Sequence, residues 1–484
     1  MSRRFLLAAA VALISVIAAA QVRLLVPPKL AAQTASGGGK PDPTVAIDVH
    51  AARDEAVRIL QDLIRIDTSN PPGNETKAAE YLKALLEREK IPGEIVALEP
   101  SRGNLIARLK GSGRRPPLLL MAHTDVVGVE RASWSVDPFA GVVKDGYVWG
   151  RGARDDKGMA AAIAQVMLLL ARGKVALDRD VIFLAEAGEE ATTRVGVDYV
   201  VQNHWDKIAA EFALNEGGTI EMTGDRVRFV GVATTEKVSR GIRLVARGTS
   251  GHGSMPRVDN AIVHLARAIA KLGDTQPPMR LNETTRTYFE RLASISPPDQ
   301  AALYRRLEDP KVQETLRQTS PEYNSMLRTS ISPNIIQGGF RSNVIPAQAE
   351  ATLDVRALPD ENIEQLVAWV KKVIDDPAVE VVPPGPPARP AGAPSRLDSE
   401  MFKTLESVQH QMFPAAVTLP VMMTGATDSA QLRARGVQAY GLATPGQAGE
   451  RELAHGNDER VPVAGVGLFV EYLYRVVVEI AGAR

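Results

Sequence analysis

Cysteine is absent from this chain of 484 residues, and neither sign of charge is in excess. Without cysteine there are no disulfides, no cysteine nucleophiles and no thiolate metal sites, so a bound transition metal must be held by histidine and carboxylate side chains. Lys+Arg and Asp+Glu both number 57, so no overall field attracts the chain to nucleic acid or to an anionic membrane. Internal repeats are not evident, and the length favours two or three globular domains.

The N-terminal residues show the pattern of a secretory signal peptide. Two arginines precede an apolar stretch from Phe5 to Ala20, with small residues at its end. This stretch is short for a membrane span, and a membrane anchor over residues 5–26 is the less favoured alternative. We therefore expect a signal peptide at 1–20, a flexible linker at 21–43, and export to the periplasm or the medium.

Apolar runs alternate with helical patterns along most of the chain, which predicts an α/β fold with a mostly parallel sheet flanked by helices. The runs in "PLLLMAHTD", "DVIFLAEAGEE" and "FALNEGG" are typical of buried strands. The pattern changes near Arg240 to that of a small α+β unit, which includes a polar, proline-marked stretch at 280–330 with helical patches. We expect one domain at 44–239 and 358–484, interrupted by an inserted domain at 240–357.

Histidines and carboxylates follow several of the predicted strands. Ligands bind beyond the carboxyl ends of the strands in open α/β sheets, so these side chains are expected to meet at one edge of the sheet. They are His123 and Asp125 in "HTD", Asp155 and Asp156 in "ARDDKG", Glu189 and Glu190 in "GEE", Glu216 in "NEGG" and His455 in "HGNDER". Two zinc ions about 3.5–4 Å apart need such ligands, with one carboxylate bridging both ions and another acting as a base.

Each motif taken alone has a simpler interpretation. "HTD" fits a core histidine beside a turn aspartate, "DD" fits a helix N-cap with its turn, and "GEE" fits a solvated loop. His455 beside Asp458 and Glu459 fits a surface ion pair. Their shared position after predicted strands is what favours a metal site.

The ordered motifs "HTD", "GRGARDDKG", "GEE", "NEGG", "GHGSMP", "NVIP" and "HGNDER" resemble those of the co-catalytic di-zinc peptidase family that includes aminoacylase, glutamate carboxypeptidase and succinyl-diaminopimelate desuccinylase. The segment "WSVDPFAGVVKDGYVWGRG" is similar to the carboxypeptidase S and N-acyl-amino-acid hydrolase branch. The resemblance implies a zinc-peptidase-like catalytic domain with an inserted lid and dimerisation domain. It also implies two zinc ions per subunit, with cobalt or manganese as substitutes, and a homodimer.

The resemblance further implies roles for single residues. The implied metal ligands are His123, Asp155, Glu190, Glu216 and His455. Asp155 would bridge the two ions, with Asp156 as the alternative bridge, and Asp125 would orient the ring of His123. Glu189 would be the general base.

The remaining implied roles concern the substrate. His252 would stabilise the oxyanion in the active site of a dimer mate. Asn343, Arg356, Gly425 and Thr427 would contact the substrate, the arginine through a carboxylate. Gly188 departs from the family pattern, in which an aspartate precedes the paired glutamates.

These observations predict an exported zinc hydrolase that cleaves an amide bond of a small peptide or an N-acyl amino acid by attack of a metal-bridging hydroxide. Carboxypeptidase, dipeptidase and N-acyl-amino-acid hydrolase all fit, and peptidase versus deacylase stays open because the specificity pocket depends on loops that include 280–330. The alternative from another class is a non-catalytic protein that only binds a ligand on the same fold.

Overall fold

The structure is a computed structural model that describes residues 47–224 and 226–483, apart from the side chains of Arg451 and Glu452. The predicted signal peptide and the predicted linker lie outside these residues. None of the helices within the described ranges has the length and apolar character that crossing a bilayer requires.

The helices and strands of the described residues follow in chain order. The helices are α1 (Val49–Arg65), α2 (Glu75–Arg88), α3 (Lys157–Arg172), α4 (Val197–Asn203), α5 (Trp205–Ile208), α6 (Ala261–Asp274), α7 (Glu283–Ser294), α8 (Pro298–Tyr304), α9 (Pro310–Thr319), α10 (Pro321–Met326), α11 (Ile363–Ile374), α12 (Glu400–Met412), α13 (Ser429–Ala434) and α14 (Val463–Ala481). The strands are β1 (Gly93–Ala97), β2 (Gly103–Leu109), β3 (Leu118–His123), β4 (Val142–Lys144), β5 (Tyr147–Trp149), β6 (Val181–Glu186), β7 (Phe212–Glu216), β8 (Thr219–Thr223), β9 (Arg226–Glu236), β10 (Val238–Arg247), β11 (Gly251–His252), β12 (Ser330–Gly338), β13 (Val344–Ile345), β14 (Gln348–Ala357), β15 (Val379–Val382), β16 (Val417–Met423), β17 (Gln438–Leu442), β18 (Gly446–Gln447) and β19 (Arg460–Pro462).

A large mixed sheet forms the centre of the molecule, in the order β1-β2-β6-β3-β7-β17-β9-β8-β18, with β16 beside β9. Its four central strands, β6, β3, β7 and β17, are mutually parallel. The strands towards both edges include antiparallel pairs such as β1 with β2 and β8 with β9. The predicted α/β fold is thus confirmed, with its parallel part confined mainly to the centre of the sheet.

Strand β3 shows why the central strands are apolar throughout. Its side chains alternate between two cores: Leu118 and Leu120 pack on one face of the sheet, and Leu119 and Met121 pack on the other. The first core contains α1, α3 and α14, and the second contains α4 and α13. A strand covered on both faces buries every side chain, so a continuous apolar run is required.

A second sheet, in the order β12-β14-β10-β15, is antiparallel and packs against α6 and α11. Strand β15 lies after residue 357, so the expected end of the inserted unit falls inside this sheet and its helices. Lys237 is the one residue between β9 of the large sheet and β10 of the second sheet.

The stretch predicted to have helical patches contains α7, α8, α9 and α10. Their apolar side chains do not join the core of the second sheet. They form a separate core with Phe229 of β9 and with Leu419 and Val421 of β16, so this stretch packs on the edge of the large sheet.

Candidate active site

Four side chains of the site stand at or just beyond the carboxyl ends of the three parallel strands β6, β3 and β7. β3 ends at His123, β7 ends at Glu216, and Glu189 and Glu190 follow β6 by a short loop. In the register of the sheet, His123 pairs with Glu186, the last residue of β6. The large sheet therefore brings His123, Glu189, Glu190 and Glu216 together at its edge. Asp155 and His455 lie instead in the loop after β5 and the loop before β19, two strands that pair in a separate three-stranded sheet.

Asp155 lies between the two histidines of the site. Its Oδ1 is 2.9 Å from Nε2 of His123, and its Oδ2 is 3.1 Å from Nε2 of His455. A carboxylate with one oxygen towards each histidine has the arrangement needed to bridge two cations.

The other two glutamates are divided between these histidines. Oε1 of Glu190 is 3.0 Å from Nε2 of His455, and Oε2 of Glu216 is 3.8 Å from Nε2 of His123. Each histidine therefore has its own glutamate as well as a shared aspartate. The side chains come from distant parts of the sequence and converge because each stands at the end of a strand or at a loop beside it.

Ligand atoms of His123 lie within 4.8 Å of two separate pairs of carboxylates, Asp155 with Glu190 and Asp156 with Glu216. The second pair contains the alternative bridging residue. Asp156 lacks the two-histidine arrangement of Asp155, however, and its Oδ2 is buried without a hydrogen-bond partner. The ion-pair distances therefore favour Asp155 as the bridge.

Asp125 holds both the histidine and the glutamate loop. The nearest acceptor to Nδ1 of His123 is the backbone carbonyl of Asp125 at 3.0 Å, and its carboxylate is 3.5 Å away. The carboxylate accepts hydrogen bonds from the backbone amides of Glu189 and Glu190, both at 3.1 Å, and from Nδ2 of Asn70 at 2.8 Å. Asp125 therefore fixes the loop that carries the paired glutamates.

Gly188, where the family pattern has an aspartate, has a backbone conformation that favours glycine. Its φ is +80°, and a Cβ atom there would lie 2.5 Å from the carbonyl oxygen of Thr192. The loop before the paired glutamates consequently has no room for a side chain at this position.

Two residues beside Glu189 were missed by the sequence reasoning. Arg389, in the proline-rich segment before α12, donates to the carboxylate of Glu189 and, at 3.0 Å, to its backbone carbonyl. The Nε of Arg389 donates to Oδ1 of Asp428 at 3.0 Å, and Asp428 is fully buried. Arg389 is 200 residues from Glu189 in the chain, so no local motif links the two.

Glu459 was also missed, since the sequence allowed it only as part of a surface ion pair. Its side chain is fully buried and pairs with Arg151 at 2.7 Å. The same carboxylate accepts hydrogen bonds from the backbone amides of Gly152, Arg154 and Asp155. The surface interpretation is wrong because Glu459 lies beneath the loop that carries Asp155.

Burial and crowding of carboxylates shift the pKa values of the site. Burial and the nearby Asp428 raise the pKa of Glu189 to about 8, although His123 and Arg389 act in the opposite direction. Hydrogen bonds with Asp155 and Glu190 raise the pKa of His455 to about 10. Burial also raises the pKa of Glu216. Such a cluster of buried anions is stabilised by added positive charge.

Two residues of the expected inserted domain, His252 and Asn343, lie in or beside a separate two-stranded sheet formed by β11 and β13. His252 in β11 is exposed and its Nδ1 lies 2.7 Å from Oγ of Ser254. Asn343 is exposed, and its backbone carbonyl accepts a hydrogen bond from Gly253, next to His252. The structure thus brings the backbone of Asn343 next to His252.

The other three residues expected to contact the substrate lie in different surroundings. Arg356 pairs with Asp354 at 3.0 Å and lines a cavity of about 230 Å³ together with Lys237 and Arg389. Thr427 is buried and its hydroxyl donates to Glu236 at 2.7 Å. Gly425 has no atom within 4 Å of an added Cβ, so space is open beside it.

The donor set fits divalent metal ions. It offers two imidazole nitrogens and several carboxylates without cysteine, and the buried Oδ2 of Asp156 lacks a hydrogen-bond partner. Nitrogen and oxygen donors of this kind suit zinc and similar ions. Asp155 would be shared, with His123 and Glu216 on one side and His455 and Glu190 on the other.

The fold and this site define a metallohydrolase. The chain belongs to peptidase family M20/M25/M40, whose model matches residues 119–479. It is 30% identical over 373 residues to a probable carboxypeptidase S-like 2 of Dictyostelium discoideum, which covers 75% of this chain and 71% of the relative. It is 28% identical over 378 residues to the N-fatty-acyl-amino acid synthase/hydrolase PM20D1 of Homo sapiens, which covers 75% of this chain and 73% of the relative.

Solved structures share the fold. The M20 family metallo-carboxypeptidase Sso-CP2 of Sulfolobus solfataricus matches with a TM-score of 0.63 and 18% identity, covering 88% of this chain and 98% of that one. YXEP of Bacillus subtilis, described as a dinuclear metal binding peptidase of the M20 family, matches with a TM-score of 0.58 and 15% identity, covering 89% of this chain and 99% of that one.

Proposed function

We propose that the protein is a two-metal hydrolase that cleaves an amide bond in a small peptide or an N-acyl amino acid, with Glu189 as the general base. The observation that carries the proposal is the position of Asp155 between His123 and His455. Membership of the family and the activities named for its relatives support the substrate class.

The proposed ligands are Asp155 for both ions, His123 and Glu216 for one, and His455 and Glu190 for the other. Two zinc ions bound there would supply Lewis acidity and an activated water. Cobalt or manganese would be substitutes.

The protein's own residues would transfer the proton, position the site and bind the substrate. Glu189, which pairs with neither histidine, would take a proton from the attacking water and deliver it to the leaving amine. Asp125 would keep the imidazole of His123 and the backbone of the glutamate loop in place. Space beside Gly425, and Arg356 in the cavity next to Arg389, would receive the part of the substrate that carries a carboxylate.

We also propose that the second sheet belongs to a lid and dimerisation domain. Seven of the exposed large apolar side chains lie on β12, on α6 or in the loops beside them: Met255, Val258, Ile262, Val263, Ile335, Ile336 and Phe340. An added Cβ at Gly338 in β12 would lie 3.2 Å from the side chain of Ile262 in α6, so the apolar groups of β12 and α6 adjoin. A patch of this kind on an edge strand favours pairing with a second copy.

In such a dimer His252, next to this patch, would stabilise the oxyanion in the partner's active site. Mixing inactive His252→Ala and Glu189→Ala proteins tests this arrangement. Restored activity supports action between subunits, and no activity from mixed dimers argues against it. Export through the N-terminal segment stays a prediction from the sequence.

The proposed function is tested with a panel of dipeptides and N-acyl amino acids. Metal-loaded protein should hydrolyse part of the panel, a chelator should abolish hydrolysis, and metal analysis should give two ions per subunit. Glu189→Gln should lower kcat by about 10²–10⁴-fold while the metal content is unchanged. Glu80→Gln on the exposed face of α2 is the matched control. A Glu189→Gln protein as active as the wild type would rule out the proposed base.

A further inference from the structure

Glu189 and Glu190 are adjacent, chemically identical side chains, yet the proposed function gives them different roles. Glu190 has its carboxylate 3.0 Å from Nε2 of His455, among the metal-ligating side chains. The carboxylate of Glu189 is turned to the guanidinium of Arg389 instead. The difference between the two residues therefore lies in their partners.

Arg389 is placed to impose this difference. Its Nη2 contacts both the carboxylate and the backbone carbonyl of Glu189, so the side chain and the main chain are held from one direction. The carboxylate of Asp125 accepts a hydrogen bond from the backbone amide of the same residue. With both its amide and its carbonyl bound, Glu189 has little freedom to move its carboxylate towards the histidines.

A second carboxylate, that of Asp428, fixes the position of Arg389. Its Nε donates to the buried Oδ1 of Asp428 at 3.0 Å, and the side chain of Arg389 is only 20% exposed. Arginine suits this position because its planar guanidinium offers several donors in a fixed geometry and remains charged. A lysine would present a single ammonium and could not reach Glu189 and Asp428 with the same directions.

We propose that Arg389 is a positioning residue that holds Glu189 as the base and keeps its carboxylate apart from the metal ligands. The inference rests on the proposed function, since it assigns a purpose to a contact with the proposed base. Arg389 need not touch the substrate for this role; it acts through the orientation of Glu189.

Steady-state kinetics of metal-loaded Arg389→Met test the proposal. Because a misdirected catalytic group costs turnover more than binding, kcat should fall by about 10²-fold, far more than KM changes. Metal content should match the wild type. The unfolding temperature should fall, because the buried Asp428 loses its cation, so activity is measured well below the unfolding transition of the variant. Added guanidinium should restore part of the lost kcat, and Arg389→Lys should retain more activity than Arg389→Met.

The matched control is Arg396→Met in the same proline-rich segment. Arg396 is exposed and pairs with Asp398, so its loss should leave kcat unchanged. Glu189→Gln is measured in parallel, to distinguish failure of the positioning role from failure of the proposed function. If Glu189→Gln is inactive while Arg389→Met keeps the wild-type kcat, the positioning role is overturned and the proposed function stands.

Two further outcomes decide the remaining alternatives. An active Glu189→Gln protein would overturn the proposed function together with this inference. In the other outcome, both Arg389→Met and Arg389→Lys lose kcat in proportion to a loss of bound metal or of folded protein at the assay temperature, and guanidinium restores nothing. That result would show a structural role and would also overturn the inference.

Discussion

Glu459 accepts a hydrogen bond from the backbone amide of Asp155 at 3.1 Å, although 304 residues separate the two in the chain. The same carboxylate oxygen accepts the amide of Arg154 at 2.7 Å, and the other oxygen binds Arg151 and the amide of Gly152. The loop that presents Asp155 to both histidines is therefore built around a buried acid from the C-terminal part of the chain.

Replacing this acid should damage both stability and metal binding. Glu459→Ala leaves Arg151 charged and buried without its partner, which should cost about 3–5 kcal/mol of unfolding free energy. Urea unfolding measures that loss. Metal titration should show weaker binding, because the backbone that carries Asp155 is no longer held. Asp458→Asn is the control: it removes the charge of a neighbouring acid that accepts a hydrogen bond from the amide of Ser135, and asparagine tolerates the positive φ at this position.

Metal removal should lower the unfolding temperature of the wild type. Neighbouring carboxylates repel one another in this buried cluster, as the raised pKa of Glu216 shows, so bound cations should stabilise the folded state. Each site should contribute about 2.7 kcal/mol when the free metal is about 100-fold above its Kd. Thermal unfolding with and without chelator measures this effect. Asp155→Asn should lose most of the stabilisation and both ions, because its carboxylate faces both histidines. Full metal content in Asp155→Asn would instead point to Asp156 as the bridge.

Lys237 should make stability depend on pH. Burial, with Arg356 and Arg328 nearby, lowers the pKa of Lys237 to about 7 in the folded protein. Between that value and the ordinary lysine pKa near 10.4 the unfolded chain binds more protons, so stability should rise with pH in this range. Relative to Lys237→Met, the wild type should gain stability from pH 7 to pH 9, by at most about 1.4 kcal/mol per pH unit.

The control for this pH dependence is Lys77→Met, which removes an exposed lysine of α2. Urea unfolding at several pH values should give parallel curves for Lys77→Met and the wild type. Parallel curves for Lys237→Met and the wild type would show that Lys237 does not titrate in this window.

The exposed apolar patch on β12, α6 and the loops beside them should control the oligomeric state. Ile336 on the edge strand β12 is 60% exposed, and Ile336→Lys should convert a dimer into monomers by placing a charge in the contact. Sedimentation velocity measures the change. Leu98→Lys, at an exposed apolar residue after β1, should leave the dimer intact. Dimers that persist in Ile336→Lys would place the interface elsewhere.

The central strands and the polar residues at their carboxyl ends were predictable, because a strand and the residues after it are close together in the sequence. The apolar run that ends in His123 predicts a buried strand with a polar side chain at its carboxyl end, and β3 has that form. The bridging geometry of Asp155 could be expected only through the family resemblance, since spacing alone left Asp156 equally open. The pairing of β15 with β10 could not be expected, because β15 is short and lies beyond a helix.

The supporting residues could not be predicted in this way. Arg389 lies in a proline-rich segment with no periodic pattern, and its partner Glu189 is 200 residues away. Glu459 stands in a polar run, where an acidic residue is exposed in most proteins, and only the fold shows that it is buried. Such contacts are set by tertiary packing, to which a single sequence gives no direct access.

The conformation of Gly188 has a consequence for protein engineering. A design that replaces unusual residues by the family's commonest choice would introduce an aspartate here. The positive φ and the carbonyl of Thr192 leave no room for it, so the exchange would displace Glu189 rather than improve the enzyme. Grafting the paired glutamates and their flanking residues between members of this family therefore requires exchange of the whole loop, not of single positions.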